Sequence, residues 1–272
     1  MRQYLPAMIK SAVSAGIAAL DVYNQDFSVI EKSDHSPLTL ADTRSHEIIS
    51  QALEPTDIPV LSEEGKDIAY KDRKDWERLW IVDPLDGTKE FVKRNGEFTI
   101  NIALVENHIA VMGVIYVPVL SLLYFGVFDR GAYRVKIETP EAVKTDTDVD
   151  RLIDTAARLE VEIEPSRTYK IVGSRSHLTP EVEAFVEEKK RIHGDVEFVS
   201  AGSSLKFCQI AEGKADIYPR LGPTMEWDTA AGQVIAETAG ARIYRHDTGE
   251  PLRYNKQDLK NPWFIVSNGR DE

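Results

Sequence analysis

Residues 80–91 read WIVDPLDGTKEF. An apolar run from Leu79 to Val82 ends in two carboxylates, Asp83 and Asp86, with Gly87 and Thr88 directly behind. Asp, Pro and Gly are ordinary turn formers, so a plain turn accounts for the break. A cluster of hard oxygen donors at a strand end accounts for it equally well, and divalent cations prefer such donors. The rest of the chain has to decide between the two.

Composition sets the bounds. The 272-residue chain is 42% hydrophobic and 29% charged, as in an ordinary soluble globular protein. That length suits one large domain or two smaller ones. Cys208 is the only cysteine, which excludes an internal disulfide and fits a reducing compartment. A net charge of −12 argues against a nucleic-acid partner. An anionic small substrate would then need a few local Lys or Arg residues, or metal ions. No stretch reaches the roughly 20 apolar residues of a membrane span. SAVSAGIAAL, after Lys10, superficially resembles the apolar part of a signal peptide. Leu5, Met8, Ile9, Ala12, Val13, Gly16, Ile17, Leu20 and Tyr23 recur at helical spacing, however, so the reading taken is an amphipathic first helix.

Around the opening stretch, the pattern predicts a helix over about 41–53 and a short strand over 58–61 that runs into Ser62-Glu63-Glu64-Gly65. FTINIALV, IAVMGVIYV, LLYFGVF and AYRVKI follow with short breaks, which permit only antiparallel neighbours. Residues 139–167 are acidic and read as a connecting or peripheral segment, with a helix near 148–159. Beyond it, strands (YKIVGS, VEFVS, ADIYP, ARIY, WFIVS) alternate with helices opening near 179, 203 and 228, a pattern of α/β layering. The expected division is an α+β part over 1–138 with an antiparallel sheet, the connecting segment, and an α/β part over 168–272.

Carboxylates stand at the mouths of four elements: Glu63 and Glu64, Asp83 and Asp86, Asp228, and Asp42. Singly each has a bland explanation. Asp228 could cap its helix and Asp42 could favour a helix dipole. Together, with no basic partners beside them in sequence, they suggest a site for hard divalent cations. WIVDPLDGTKEF followed by NGEFTINIALV, the upstream SEE, and the later GSSLKFCQIAEGKADIYPRLGPTMEWDTAAG resemble the inositol monophosphatase superfamily. Within it they most resemble the bacterial CysQ-type 3'(2'),5'-bisphosphate nucleotidases, nearly end to end.

The resemblance implies a layered α-β-α-β-α sandwich with the site between two subdomains. It implies two or three magnesium ions held by Glu63, Asp83, the Leu85 carbonyl, Asp86 and Asp228, with lithium as an inhibitor. Thr88, paired with Asp42, would orient the attacking water and accept its proton; the plain alternative for Thr88 is an N-cap. Backbone amides of Gly87 and Thr88 can hold phosphoryl oxygens. Gly202, Ser203 and Ser204 open a helix with amides and hydroxyls for a phosphate, and Lys206, Arg220 and His177 add to the substrate side. Lys206 is otherwise a solvated helix residue and His177 a loop histidine. Where inositol-specific relatives carry Glu, Arg220 suits a second phosphate, which its fork can grip. Glu64 assists through water or merely flanks the site.

The implied reaction is removal of the 3'-phosphate of adenosine 3',5'-bisphosphate, with 3'-phosphoadenylyl sulfate as a second substrate, in sulfur assimilation. The implied location is the cytoplasm, free or peripheral on the inner membrane's cytoplasmic face. Inositol monophosphatase and a non-catalytic nucleotide sensor are the alternatives.

Overall fold

The computed structural model describes residues 2–31, 37–174 and 179–271. Helix α1 (Leu5–Tyr23), the antiparallel pair β1 (Val29–Glu31) and β2 (Pro37–Thr39), and helix α2 (Leu40–Leu53) come first. Strand β3 (Val60–Ser62), the short helix α3 (Tyr70–Arg73), β4 (Arg78–Asp86) and α4 (Thr88–Val92) follow. The expected meander is β5 (Thr99–Glu106), β6 (Ile109–Val117), β7 (Leu122–Val127) and β8 (Gly131–Lys136). Helix α5 (Asp146–Thr155) and β9 (Ala157–Leu159) lead to β10 (Tyr169–Gly173) and α6 (Pro180–His193). The chain continues through β11 (Val196–Ser200), α7 (Leu205–Ala211), β12 (Ile217–Arg220) and α8 (Ala230–Thr238), then β13 (Arg242–Arg245) and β14 (Phe264–Ser267).

Two large sheets result. Strands β3 to β9 lie in sequence order, antiparallel except for the parallel pair β3–β4. The second sheet has the order β11-β10-β12-β14-β13, and its β10–β11 and β10–β12 pairs are parallel. Helices α1 and α2 cover one face of the first sheet, where Met8, Ile9 and Ile49 pack on Trp80, Ile102 and Val114. On its other face Ala231, Val234 and Ile235 of α8 meet Ile81, Ala103 and Ile115. Phe207 and Ile210 of α7 pack against Tyr218, Phe264 and Val266 of the second sheet, and Val182 of α6 covers its outer side. The layers are therefore α-β-α-β-α.

The middle helical layer sits tightly. A Cβ at Gly113 in β6 would collide with the Ala231 carbonyl, and one at Gly232 with the Phe207 ring. Glycine at these two places lets α8 approach both the sheet and α7, which fixes the helix that follows Asp228.

Two expectations change. Residues 157–159, expected within a helix in a peripheral segment, are β9, the seventh strand of the first sheet, and α5 ends at Thr155. By length and composition α1 is apolar enough to cross a membrane, contrary to the sequence expectation. However, 56% of that stretch is buried inside the protein, against α2 and the first sheet.

Candidate active site

The break at Asp83 is a change of register. Residues three apart on a regular strand face opposite sides. The β4–β5 pairing shifts between Asp83 and Asp86, and this irregularity lets both carboxylates serve one cleft. Parallel pairing of Ser62 with Val82, and the bond from Glu63 N to Val82 O (3.2 Å), set Glu63 beside them. Asp228 arrives from the other half, at the end of the 3-10 turn Glu226–Asp228, its Oδ2 accepting from Met225 N at 2.8 Å. Oxygens of Asp83, Asp86 and Asp228 lie within 4.8 Å of one another.

Such crowding is costly without a counter-charge. Burial, then repulsion from Glu63, Asp86 and Asp228, pushes the Asp83 carboxyl well above its ordinary range, against the bond from Leu85 N. Burial and Asp86 push Asp228 up to about 8. Carboxylates and the Leu85 carbonyl are hard oxygen donors, so this set fits a divalent cation, which would relieve the repulsion. Such a cation would be held by Glu63, Asp83, the Leu85 carbonyl, Asp86 and Asp228.

These residues line one cleft of about 210 Å³, together with Gly87, Thr88, Ser203, Lys206 and Arg220. Gly87, at φ +92, is the N-cap of α4, so Thr88 is not. Thr88 Oγ1 instead donates to Asp42 Oδ1 at 3.2 Å. Asp42 also completes the capping box of α2, its Oδ2 accepting from Thr39 N and Oγ1 at 2.7 and 2.6 Å. Lys206 is 5% exposed rather than solvated, and its ammonium donates to Ser203 O (2.5 Å) and Ala201 O. Burial pulls Lys206 down to about 8 although Asp86 opposes it. Arg220 Nη2 donates to Pro223 O (2.7 Å), while its buried Nε has no partner.

Three expected contributors stand apart. The Gly202 amide is not free for a phosphate: it donates to Glu97 Oε2 at 2.9 Å, and Gly202 lines a neighbouring cavity. Glu64 is not among the residues lining the cleft, and its charge acts on His46. His177 lies outside the described residues.

The cleft also takes residues that pattern reading passed over: Lys89, Glu90, Tyr218, Thr224 and Phe264. Strand alternation holds a usable signal, because Tyr218 and Arg220, two apart on β12, share a face. Phe264 is the register partner of Arg220.

Carboxylates clustered within 4.8 Å, sharing one cleft with Lys206 and Arg220, suit a metal-dependent phosphatase. The model of the inositol monophosphatase family matches residues 1–271, and the chain belongs to that family. Among its relatives are 3'(2'),5'-bisphosphate nucleotidases CysQ. That of Salmonella typhimurium is 41% identical over 97% of this chain and 99% of the relative. That of Escherichia coli K12 is 40% identical with the same coverage. The crystal structure of CysQ from Bacteroides thetaiotaomicron is 51% identical, covering 96% of this chain and 97% of that one, with a TM-score of 0.86.

Proposed function

We propose that this chain is a 3'(2'),5'-bisphosphate nucleotidase that removes the 3'-phosphate of adenosine 3',5'-bisphosphate, giving AMP and phosphate. One observation carries the choice of substrate: Lys206 and Arg220 line the same cleft as the carboxylates. A substrate with a second phosphate engages both groups, and the similarity to CysQ proteins supports this reading. The same cleft would take 3'-phosphoadenylyl sulfate. We assign magnesium to the carboxylate site, held by Glu63, Asp83, the Leu85 carbonyl, Asp86 and Asp228. When bound, it supplies charge neutralisation for the phosphoryl group and a lower pKa for water. The lone cysteine, free and buried, supports a reducing, cytoplasmic setting.

The chain's own residues divide the remaining work. Thr88 Oγ1 accepts a proton from the attacking water as it passes its own to Asp42 Oδ1. Asp42 is ready for this because its other oxygen is already fixed by Thr39. The water oxygen bonds to phosphorus, the bond from phosphorus to the 3'-oxygen breaks, and solvent water protonates the departing 3'-oxygen while Asp42 returns its proton to solvent. The Gly87 and Thr88 amides hold phosphoryl oxygens at the start of α4. The Arg220 guanidinium and the Lys206 ammonium grip the 5'-phosphate.

Phosphate release from equal concentrations of adenosine 3',5'-bisphosphate, 3'-phosphoadenylyl sulfate and inositol 1-phosphate tests the assignment. The two nucleotides should be far better substrates; faster release from inositol 1-phosphate would overturn the substrate choice.

A further inference from the structure

We propose that Ser204 and Asn101 are positioning residues for Asp86, and that the Ser204 hydroxyl does not contact the substrate phosphate. The residues come from α7's leading edge and from β5, 103 positions apart, and both are 1% exposed. Ser204 Oγ lies 2.7 Å from Asp86 Oδ2 and 3.0 Å from Asp228 O. The hydroxyl has one proton, and the shorter contact to a carboxylate takes it. Asn101 Nδ2 reaches Ser204 Oγ at 2.9 Å and Asp86 Oδ2 at 3.2 Å, and because those two oxygens lie only 2.7 Å apart one N–H is shared between them. A flipped Asn101 amide would set its oxygen against the carboxylate, so the charge on Asp86 fixes its orientation. That orientation leaves Asn101 Oδ1 buried with no partner, a cost retained for the sake of the contact to Asp86.

Asp86 Oδ2 thus accepts two neutral hydrogen bonds, which fix the plane of the carboxylate and aim Oδ1. The same oxygen lies 3.0 Å from the Asp228 carbonyl, so the side chain sits between two of the three clustered carboxylate residues while its proton serves Asp86. It also stands beside Ser203, at the start of the helix that carries Lys206, and so ties the loop on the second-phosphate side to the metal side. Hydrogen-bond partners of ligating groups are worth about 10- to 100-fold in metal affinity where they have been removed.

This inference rests on reading Asp86 as a metal ligand. Mn2+ binding to the full chain, followed by calorimetry or electron paramagnetic resonance, tests it without any turnover. Ser204→Ala should bind Mn2+ about 10- to 100-fold more weakly, with thermal stability near wild type. Asn101→Ala should lose less, its bond to Asp86 being longer. The double variant should lose less than the sum, because Asn101 also holds Ser204. Lys206→Ala, from the same helix, should not weaken Mn2+, since it removes a cation from the cleft. At saturating metal, kcat of Ser204→Ala should approach wild type while the metal requirement stays raised. Unchanged Mn2+ affinity in Ser204→Ala, or an equal loss in Lys206→Ala, overturns the assignment of Ser204. A wild-type chain that binds no Mn2+ overturns the metal reading itself.

Discussion

Arg220→Glu tests substrate choice at one side chain. Arg220 Nη2 gives one of its protons to Pro223 O, which leaves the rest of the guanidinium fork in the cleft for ligand oxygens. Losing one charge-assisted hydrogen bond, at roughly 1.5–3 kcal/mol, lowers kcat/KM by about 10- to 150-fold. Glutamate adds to this in two ways. It repels a phosphate dianion, and its charge falls where Lys206 feels position 220, so it draws the second cation away from the ligand. The loss for adenosine 3',5'-bisphosphate should therefore lie at the upper end of that range or beyond. The carboxylate cluster is untouched, so a substrate with a single phosphate should lose little. Initial rates of phosphate release from the bisphosphate and from inositol 1-phosphate give the two numbers. Equal losses on both would mean that Arg220 supports the β12–β14 pairing rather than the second phosphate.

Other outcomes follow from the same geometry. Thr88→Ala and Asp42→Asn should each lower kcat by about 10²–10⁴-fold while Mn2+ affinity stays near wild type; a matching loss of metal binding would refute their proton-handling role. Gly113→Ala should destabilise the protein by about 1–3 kcal/mol in chemical denaturation, because its methyl group meets the Ala231 carbonyl. Burial raises Glu237 from 4.5 to about 7, so the folded state holds its proton more tightly than the unfolded chain does. Its contribution therefore falls as pH rises from about 4.5 through about 7, and Glu237→Gln should stabilise the protein at pH 8 by about 3 kcal/mol yet not at pH 4. Denaturation at the two pH values checks this.

The first sheet could be read ahead of the structure because β5 to β8 are long apolar runs whose breaks are too short for anything but antiparallel pairing. The region around β9 could not. Only Val149 of α5 and Leu159 of β9 are buried, so these short elements owe their form to their neighbours. One such tie joins Lys10 of α1 to Asp146 at 2.5 Å. Glu63, Asp83 and Asp86 stood out because charge just after an apolar run is conspicuous, and Asp228 because it precedes a helix within the stretch that carries the family resemblance. Tyr218 and Phe264 did not, since aromatic residues inside strands look like core and here serve as both core and cleft wall. Gly202 was misread for another reason. Its amide is taken by Glu97, 105 positions away, and no local pattern shows a partner so distant. The alternative of a solvated Lys206 rested on its place on a short helix, and its burial removes that alternative.

The central claim is that the carboxylates of Asp83, Asp86, Asp228 and Glu63 hold a metal on which 3'-phosphate release depends. Phosphate release from adenosine 3',5'-bisphosphate, measured in excess chelator and again after magnesium is restored, tests it directly. Asp86→Asn, shown to be folded by circular dichroism, serves as the matched control. Turnover should vanish in chelator and return with magnesium, and Asp86→Asn should stay inactive by several orders of magnitude in both conditions. Undiminished release in chelator, or an active Asp86→Asn, would contradict the account.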